Sequence, residues 1–491
     1  MGDLRPIRQL VLPMPMGDEP TVTATKIGRH DRVWVSRNLK MTSVQWVGFD
    51  MDYTLAIYDQ SRMDSLQVDV TVERLVKRGY PGYLSHLEYD YRFPIRGLLV
   101  DKRYGHVLKM NRFKVVRKGW HGLKPLPKDV LKELYTHRRI RPQTSRYHWI
   151  DTLFSLSEVT AYAAIVEALE KRGEKVDYGQ LFRDVRECID EAHRDGTIYA
   201  TVLPDPGKYI VRDPYLAETL HKLRSAGKKL FLLTNSPWSY TDSVMRFLLG
   251  GAMNEYPSWR HYFDVAIVAA GKPGWFKEGR PLMEREGSIL RDLRGPLERG
   301  KIYEGGNLRE LERHLGVPGS GILYVGDHIY GDMLRSKKES AWRTAMIIQE
   351  LDAELDAHDR SSADLAAQRK LEELRDNLED ELRHYQARFK ELEKGGALEG
   401  AEERKRAKRR IERIRGELRH IKTEYNRLRE NVDRSFHPYW GSLLKQDAEL
   451  SSFGQQVDTY ADVYMRRVSC LRHYSPMQFF RSPYDLMPHE L

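Results

Sequence analysis

Short apolar runs recur along the chain, and each stops abruptly at polar residues. Residues 44–49 (VQWVGF) end at Asp50, and Lys229–Leu233 (KLFLL) ends at Thr234-Asn235. Val265–Val268 leads into Gly271-Lys272, residues 322–325 (ILYV) end at Gly326-Asp327, and residues 344–348 form a fifth run. Helical text lies between several of them, such as residues 215–226, apolar at Leu216, Leu220 and Leu223. Buried apolar strands alternating with helices predict an α/β fold, a parallel sheet with helices on both faces. Ligands of such sheets bind beyond the carboxyl ends of the strands, where these polar residues fall.

Residues 50–228 separate the first two strands, far more chain than a crossover needs. An inserted domain is therefore expected after the first strand, with helical text at 155–172 and 178–194. Beyond residue 350 the pattern changes. Leu371, Leu374, Leu378, Leu382, Tyr385, Phe389 and Leu392 recur every three or four residues, as do Ile411, Ile414, Leu418, Ile421, Tyr425, Leu428 and Val432. Charged residues fill most positions between, which is coiled-coil periodicity. Gly395, Gly396 and Gly400 break it, so an antiparallel helical hairpin is expected. The division that follows is an arm at 1–30, a core at 31–80 and 205–350, an inserted cap at 81–204, a charged hairpin at 351–435, and a tail at 436–491 that packs back on the core.

The 491 residues are 41% hydrophobic and 31% charged, and the formal net charge is +10. That balance suits an anionic partner without choosing one. Two cysteines make neither a disulfide framework nor a zinc site, which points to a reducing compartment. The first residues lack a signal-peptide apolar run, and no stretch approaches the roughly 20 apolar residues of a membrane span. A cytoplasmic protein with no membrane partner is the expectation. The basic run at 404–410 (RKRAKRR) reads as a solvated hairpin tip, so nucleic acid is not an expected partner.

The sharpest chemical signal is Asp50-Met51-Asp52-Tyr53-Thr54. Two carboxylates two residues apart leave a buried strand, so one can attack phosphorus while the other protonates a leaving oxygen. By itself this could be a strand-end turn. Thr234-Asn235-Ser236 could hold phosphoryl oxygens or cap a helix. Lys272 could neutralise transferring charge, and Asp327 and Asp332 suit Mg²⁺. Together, in this order and each at a strand end, they point to phosphoryl chemistry.

The order and residue types resemble the four motifs of the haloacid dehalogenase superfamily. FDMDYTL, LLTNS, KPGWF and YVGDHIYGD are similar to those of its cytosolic purine 5′-nucleotidase family, as are TVERLVKRGYP (71–81), FPIRGLLVD (93–101), YFD (262–264), SKK (336–338) and LMPHE (486–490). The likeness covers nearly the whole chain from Arg32 apart from 352–432. It implies Mg²⁺-dependent hydrolysis of purine nucleoside 5′-monophosphates of the IMP and GMP type, with phosphotransfer to nucleosides as a further family activity. On this likeness Asp50 is the nucleophile and Asp52 the acid and base. Thr234, Asn235 and Lys272 grip the phosphoryl group. Asp50, Asp327, Asp332 and the Asp52 carbonyl hold the metal. Substrate residues fall on Phe154, Ser155, Arg186, Asp190, His193 and Arg194. Ser155 stands where the family has asparagine, and Arg194 where it has a base-stacking tyrosine. An effector site for a purine nucleotide falls on Arg141, Tyr330 and Lys338, with Trp149 and Asp151 departing from the family nearby. A homo-oligomer, dimer or tetramer, is implied as well. Two other readings stay open: a phosphatase acting on another phosphate ester, and a non-catalytic interaction protein built around the hairpin.

Overall fold

The computed structural model describes residues 27–136, 140–394 and 401–483. Most of the N-terminal arm, the glycine turn at 395–400 and the LMPHE segment lie outside the described residues. Ten strands form the main sheet: β1 (Trp34–Val35), β2 (Trp46–Phe49), β3 (Lys229–Leu233), β4 (Val265–Val268), β5 (Leu282–Glu286), β6 (Ile289–Asp292), β7 (Ile302–Gly305), β8 (Ile322–Gly326), β9 (Arg343–Ile347) and β10 (Val463–Met465). Their order is β1-β10-β9-β8-β2-β3-β4-β7-β5-β6. The stretch from β10 to β7 is parallel throughout, and β1, β5 and β6 add antiparallel edges.

β2 lies at the centre, between β3 and β8, with all four residues buried. Gly48 in it has a packing reason. A Cβ there would meet the Phe231 ring at 2.0 Å, so the ring lies across the strand where only glycine leaves room. Two of the parallel strands escape the pattern of the first five apolar runs. β7 is followed at once by glycines, and β10 comes from the C-terminal tail, which thus joins the sheet.

The inserted stretch carries a five-stranded antiparallel sheet, ordered Lys124–Pro125, Val116–His121, His106–Met110, Leu98–Asp101 and Tyr147–Ile150. Three helices accompany it: α1 (Gln60–Lys77), α2 (Leu156–Lys171) and α3 (Tyr178–Arg194). α1 falls in the stretch that the sequence assigns to the core. Its partners are α2 and α3, through Arg74 and Arg78 to Glu191 and through Gln67 to Ser157. Apolar positions on its inner face, Met63, Val68, Val72 and Leu75, are buried.

Two long helices follow, α4 (Ser362–Lys394) and α5 (Ala401–Phe436). Glu381 pairs with Arg410, Arg388 with Glu403 and Glu372 with Tyr425, so the helices run antiparallel. Leu378, Ile414 and Ile421 are buried between them, as the three-four spacing requires. Among the described residues no helix is long and apolar enough to cross a membrane.

Lys109 ties the tail to the insert. Its buried ammonium donates to the carbonyls of Trp440 at 3.0 Å and Lys445 at 2.9 Å, and also reaches that of Ser442. Lys109→Met would strand these carbonyls in a buried place. We expect a loss on the order of 3 kcal/mol in unfolding free energy, read by urea denaturation. A loss below about 0.5 kcal/mol would mean the contact is not a structural tie.

Candidate active site

The polar ends of β2, β3, β4 and β8 meet at one end of the sheet. Asp50 leaves β2, and its carboxylate accepts from the Met51 N–H at 2.7 Å. Tyr53, in the turn that follows, has φ 56°, a left-handed backbone that a bulky residue rarely adopts. Asp327 follows β8, and Asp332 lies in the helical turn beyond it. A Cβ on Gly326 would come within 2.5 Å of the Asp332 carboxylate, so that glycine is what lets the carboxylate fold back against the strand end.

Carboxylate oxygens of Asp50, Asp327 and Asp332 lie within 4.8 Å of one another. Lys272, beyond β4, reaches Asp332 at 2.7 Å, the Tyr324 hydroxyl at 2.8 Å and Asp50 at 3.0 Å. Burial works against the lysine charge, but Asp332 and Asp50 outweigh it and hold the ammonium well above its ordinary pKa. Burial also pushes Asp50 well above the carboxylate range, with Lys272 opposing. Asp327 is raised to about 7 by burial and then by Asp332. Lys272 pairs with Asp50 and Asp332, and Asp327 Oδ2 has no hydrogen-bond partner among the described residues. Hard oxygens in this number and spacing fit a divalent cation such as Mg²⁺.

Asp52 points elsewhere. Its carboxylate accepts from the Tyr58 hydroxyl at 2.6 Å, from Ser236 Oγ at 2.6 Å and, at the 3.5 Å limit, from Thr234 Oγ1. Burial raises its pKa against these donors. Tyr58 is itself bridged to Tyr240 at 2.9 Å. Asn235 is used for positioning: its side chain accepts from the Lys272 N–H at 2.6 Å and donates to the Lys272 carbonyl at 2.9 Å. The amide thereby locks the lysine loop to the end of β3.

A cavity of about 290 Å³ opens beside Asp52. Asn235, Ser236, Tyr58 and Tyr240 line its sheet side, and Phe154, Ser155, Arg186, Asp190 and His193 line its insert side. Five of the six expected substrate residues therefore share one wall. Arg194 does not join them and is exposed. The likeness grouped it with Arg186, Asp190 and His193 as a substrate residue. At about 100° per residue, eight positions from Arg186 leave it about 80° away around α3, whereas Asp190 and His193 stay within about 40°.

The expected effector residues Arg141, Tyr330 and Lys338 are all exposed, on a loop and on two consecutive helical turns after β8. Asp151, one of the departures from the family noted with them, forms an ion pair with His328 at 3.4 Å. Burial works against the His328 charge, but Asp151 outweighs it and raises the imidazole to about 9.

Among the lining groups that sequence reasoning missed are Glu158, Tyr58, Tyr199 and Tyr240. Glu158 is buried among apolar residues of α2, and burial raises its pKa to about 7. Its Oε2 lies 3.7 Å from Arg186 and has no hydrogen-bond partner among the described residues. A glutamate on an otherwise apolar helix face was the available signal. The tyrosines offered none, because their convergence depends on three separate elements.

A parallel sheet whose central strand ends in paired aspartates, with a lysine and further aspartates from neighbouring strand ends and an insert roofing the site, defines a protein of the haloacid dehalogenase type. Residues 33–491 match the 5′ nucleotidase family, and the chain belongs to that family. It is similar to 5′-nucleotidase domain-containing protein 2 of Rattus norvegicus, 31% identical over 461 residues, covering 90% of this chain and 77% of that protein. Two solved structures also resemble it. CbbY from Rhodobacter sphaeroides in complex with phosphate is 15% identical with a TM-score of 0.23, over 62% of this chain and 86% of that one. L-2-haloacid dehalogenase from Xanthobacter autotrophicus is 14% identical with a TM-score of 0.20, over 62% and 78%.

Proposed function

We propose that this chain hydrolyses purine nucleoside 5′-monophosphates, with Mg²⁺, to nucleoside and phosphate. The observation that carries the proposal is the continuity of two sites. The carboxylate cluster adjoins Asp52, and Asp52 also lines a cavity walled by Phe154, Arg186, Asp190 and His193. A phosphate held at the cluster would leave its organic part in that cavity.

In this reading an Asp50 carboxylate oxygen attacks phosphorus in line. The bond from phosphorus to the 5′ oxygen breaks, and Asp52 gives its proton to that oxygen. Asp52 then takes a proton from water. The water oxygen attacks phosphorus, and the aspartyl–phosphorus bond breaks, restoring Asp50. A nucleoside hydroxyl in place of water would give phosphotransfer. The raised Asp52 suits the first proton transfer, and its hydrogen bonds from Tyr58 and Ser236 hold it where the leaving oxygen emerges. Lys272, carried by Asn235, faces the phosphoryl oxygens. Asp50, Asp327 and Asp332, with the Asp52 carbonyl, would hold Mg²⁺, which supplies charge neutralisation at the phosphoryl group.

On the cavity wall, Phe154 lies edge-on to Tyr53 at 4.7 Å and to His193 at 5.9 Å between ring centroids. Arg186 donates to His148 at 2.7 Å and lies 3.7 Å from Asp190. These groups can sandwich a base and meet the polar edge of a purine. Phe154→Ala is expected to raise KM for IMP and GMP about tenfold, within the usual worth of an aromatic–base stack, and to leave ribose 5-phosphate hydrolysis nearly unchanged. An equal loss on both substrates in steady-state kinetics would remove the base-reading role.

Phosphate release across nucleoside monophosphates and sugar phosphates, with and without Mg²⁺, tests the whole proposal. Purine 5′-monophosphates should lead. Release from sugar phosphates alone would move the substrate to another ester, and release from none would overturn the reading. Control by a purine nucleotide through Arg141, Tyr330 and Lys338, and assembly as a homo-oligomer, belong to the same reading. ATP titration and light scattering test them.

A further inference from the structure

Arg96 lies in the segment that leads into the first strand of the insert, and its side chain is fully buried. Its Nη1 donates to the main-chain carbonyl of Asp327 at 2.8 Å. Its Nε and Nη2 donate to the two carboxylate oxygens of Glu350, at 2.7 and 2.6 Å. The guanidinium also sits 4.8 Å from the centre of the Phe453 ring. One side chain therefore joins the insert, the turn after β8, the start of the helix at Leu351–Arg360 and the C-terminal helix Ser452–Tyr460.

Burying an arginine against a half-buried glutamate costs desolvation that their attraction returns only in good geometry, so such a pair is weak as a source of stability. A forked pair does fix orientation. The third bond of this fork goes to the peptide of Asp327, whose carboxylate belongs to the cluster with Asp50 and Asp332. Asp327 Oδ2 has no partner among the described residues that would aim it. Its direction is set through its backbone, and Arg96 is the buried side chain that grips that backbone.

We infer that Arg96, clamped by Glu350, is a positioning residue for the metal-binding turn, holding the Asp327 peptide so that its carboxylate faces Asp50 and Asp332. The inference rests on the metal site proposed above. It adds a role for a residue outside the four strand-end motifs, and it makes metal affinity depend on how the insert is seated on the sheet.

Mn²⁺ binding to the full chain, followed by electron paramagnetic resonance and by calorimetry without substrate, provides the test. Supporting groups behind metal ligands commonly change affinity by about 10- to 100-fold. Arg96→Met should weaken Mn²⁺ binding within that range. The sign is informative, because removing a nearby positive charge would by itself tighten cation binding. Weaker binding therefore reports the lost grip on the peptide. Arg96→Lys keeps the charge and loses the fork. It should also bind more weakly, and it carries the test if the methionine variant does not fold. Unchanged or tighter binding in a folded variant, even with a lower melting temperature, would make Arg96 merely structural and overturn the inference. Absence of Mn²⁺ binding in the wild type, equal to Asp327→Asn, is a separate result. It would overturn the proposed metal site itself.

Discussion

Asp50→Asn is expected to lower phosphate release by roughly 10⁴-fold or more while the protein stays folded. The amide has nearly the same shape as the carboxylate but cannot attack phosphorus. Nothing nearby substitutes for it. Asp52 is held by Tyr58 and Ser236, and Asp332 by Lys272. The fold should not suffer, because a neutral amide takes the place of a carboxyl group that burial already drives toward its neutral form. Burial already holds Asp50 well above the ordinary carboxylate range, so its ionised form is disfavoured in the folded chain. Malachite-green phosphate assays beside circular dichroism and thermal melts would check both halves. Retention of more than about a tenth of wild-type turnover would sink the assignment of Asp50 as nucleophile.

Metal removal gives the second large effect, and pH sets its sign. EDTA should abolish turnover, and excess Mg²⁺ should restore it. Burial and then Asp332 push the Asp327 carboxyl up to about 7 in the folded chain, above its ordinary value of 3.8. Between those two values the folded state binds more protons than the unfolded state. The metal-free protein should therefore lose stability as pH rises from about 4 to about 7, and Asp50, shifted the same way, adds to the loss. A cation at the cluster reverses this, since it binds the ionised carboxylates and competes with protons. Mg²⁺ at about 100 times its dissociation constant should add about 2.7 kcal/mol at pH 8, and much less at pH 5. Melting curves at the two pH values, with and without Mg²⁺, decide it. A melting temperature at pH 8 that ignores Mg²⁺ would rule out the Asp50–Asp327–Asp332 cluster as the ion site.

Much of the architecture was legible because it rests on local patterns. The runs at Trp46–Phe49, Lys229–Leu233 and Val265–Val268 are buried throughout or nearly so, and buried parallel strands have no polar face to disguise them. The long helices α4 and α5 announced themselves by a repeated apolar spacing that does not depend on what they touch. β10 was not legible. Val463–Met465 is three residues long, and it becomes a strand only because β9 offers its edge. α1 was assigned to the wrong neighbours for a similar reason. Residues 60–77 fall in the stretch expected to be core, and an apolar stripe there does not say which surface covers it.

The candidate site divides along the same line. Residue types at strand ends located Asp50, Asp52, Thr234, Lys272, Asp327 and Asp332, because each chemistry needs a particular side chain at the end of a buried strand. How those groups are deployed was invisible. Asn235 steadies the Lys272 loop, Ser236 and Tyr58 hold Asp52, and Glu158 lies at the far wall of the cavity. Each of these contacts joins residues far apart in the chain, so no local spacing encodes it.

By itself, then, the sequence determined five parallel strands of the core, the hairpin, and the chemical inventory at the strand ends, since periodicity and residue type act over a few positions. Only the tertiary structure decided which carboxylates share a centre, which face of α3 meets the cavity, and that Arg96 grips the turn carrying Asp327. Those outcomes depend on distances of a few ångströms between segments separated by up to hundreds of residues, and packing of the whole chain sets them.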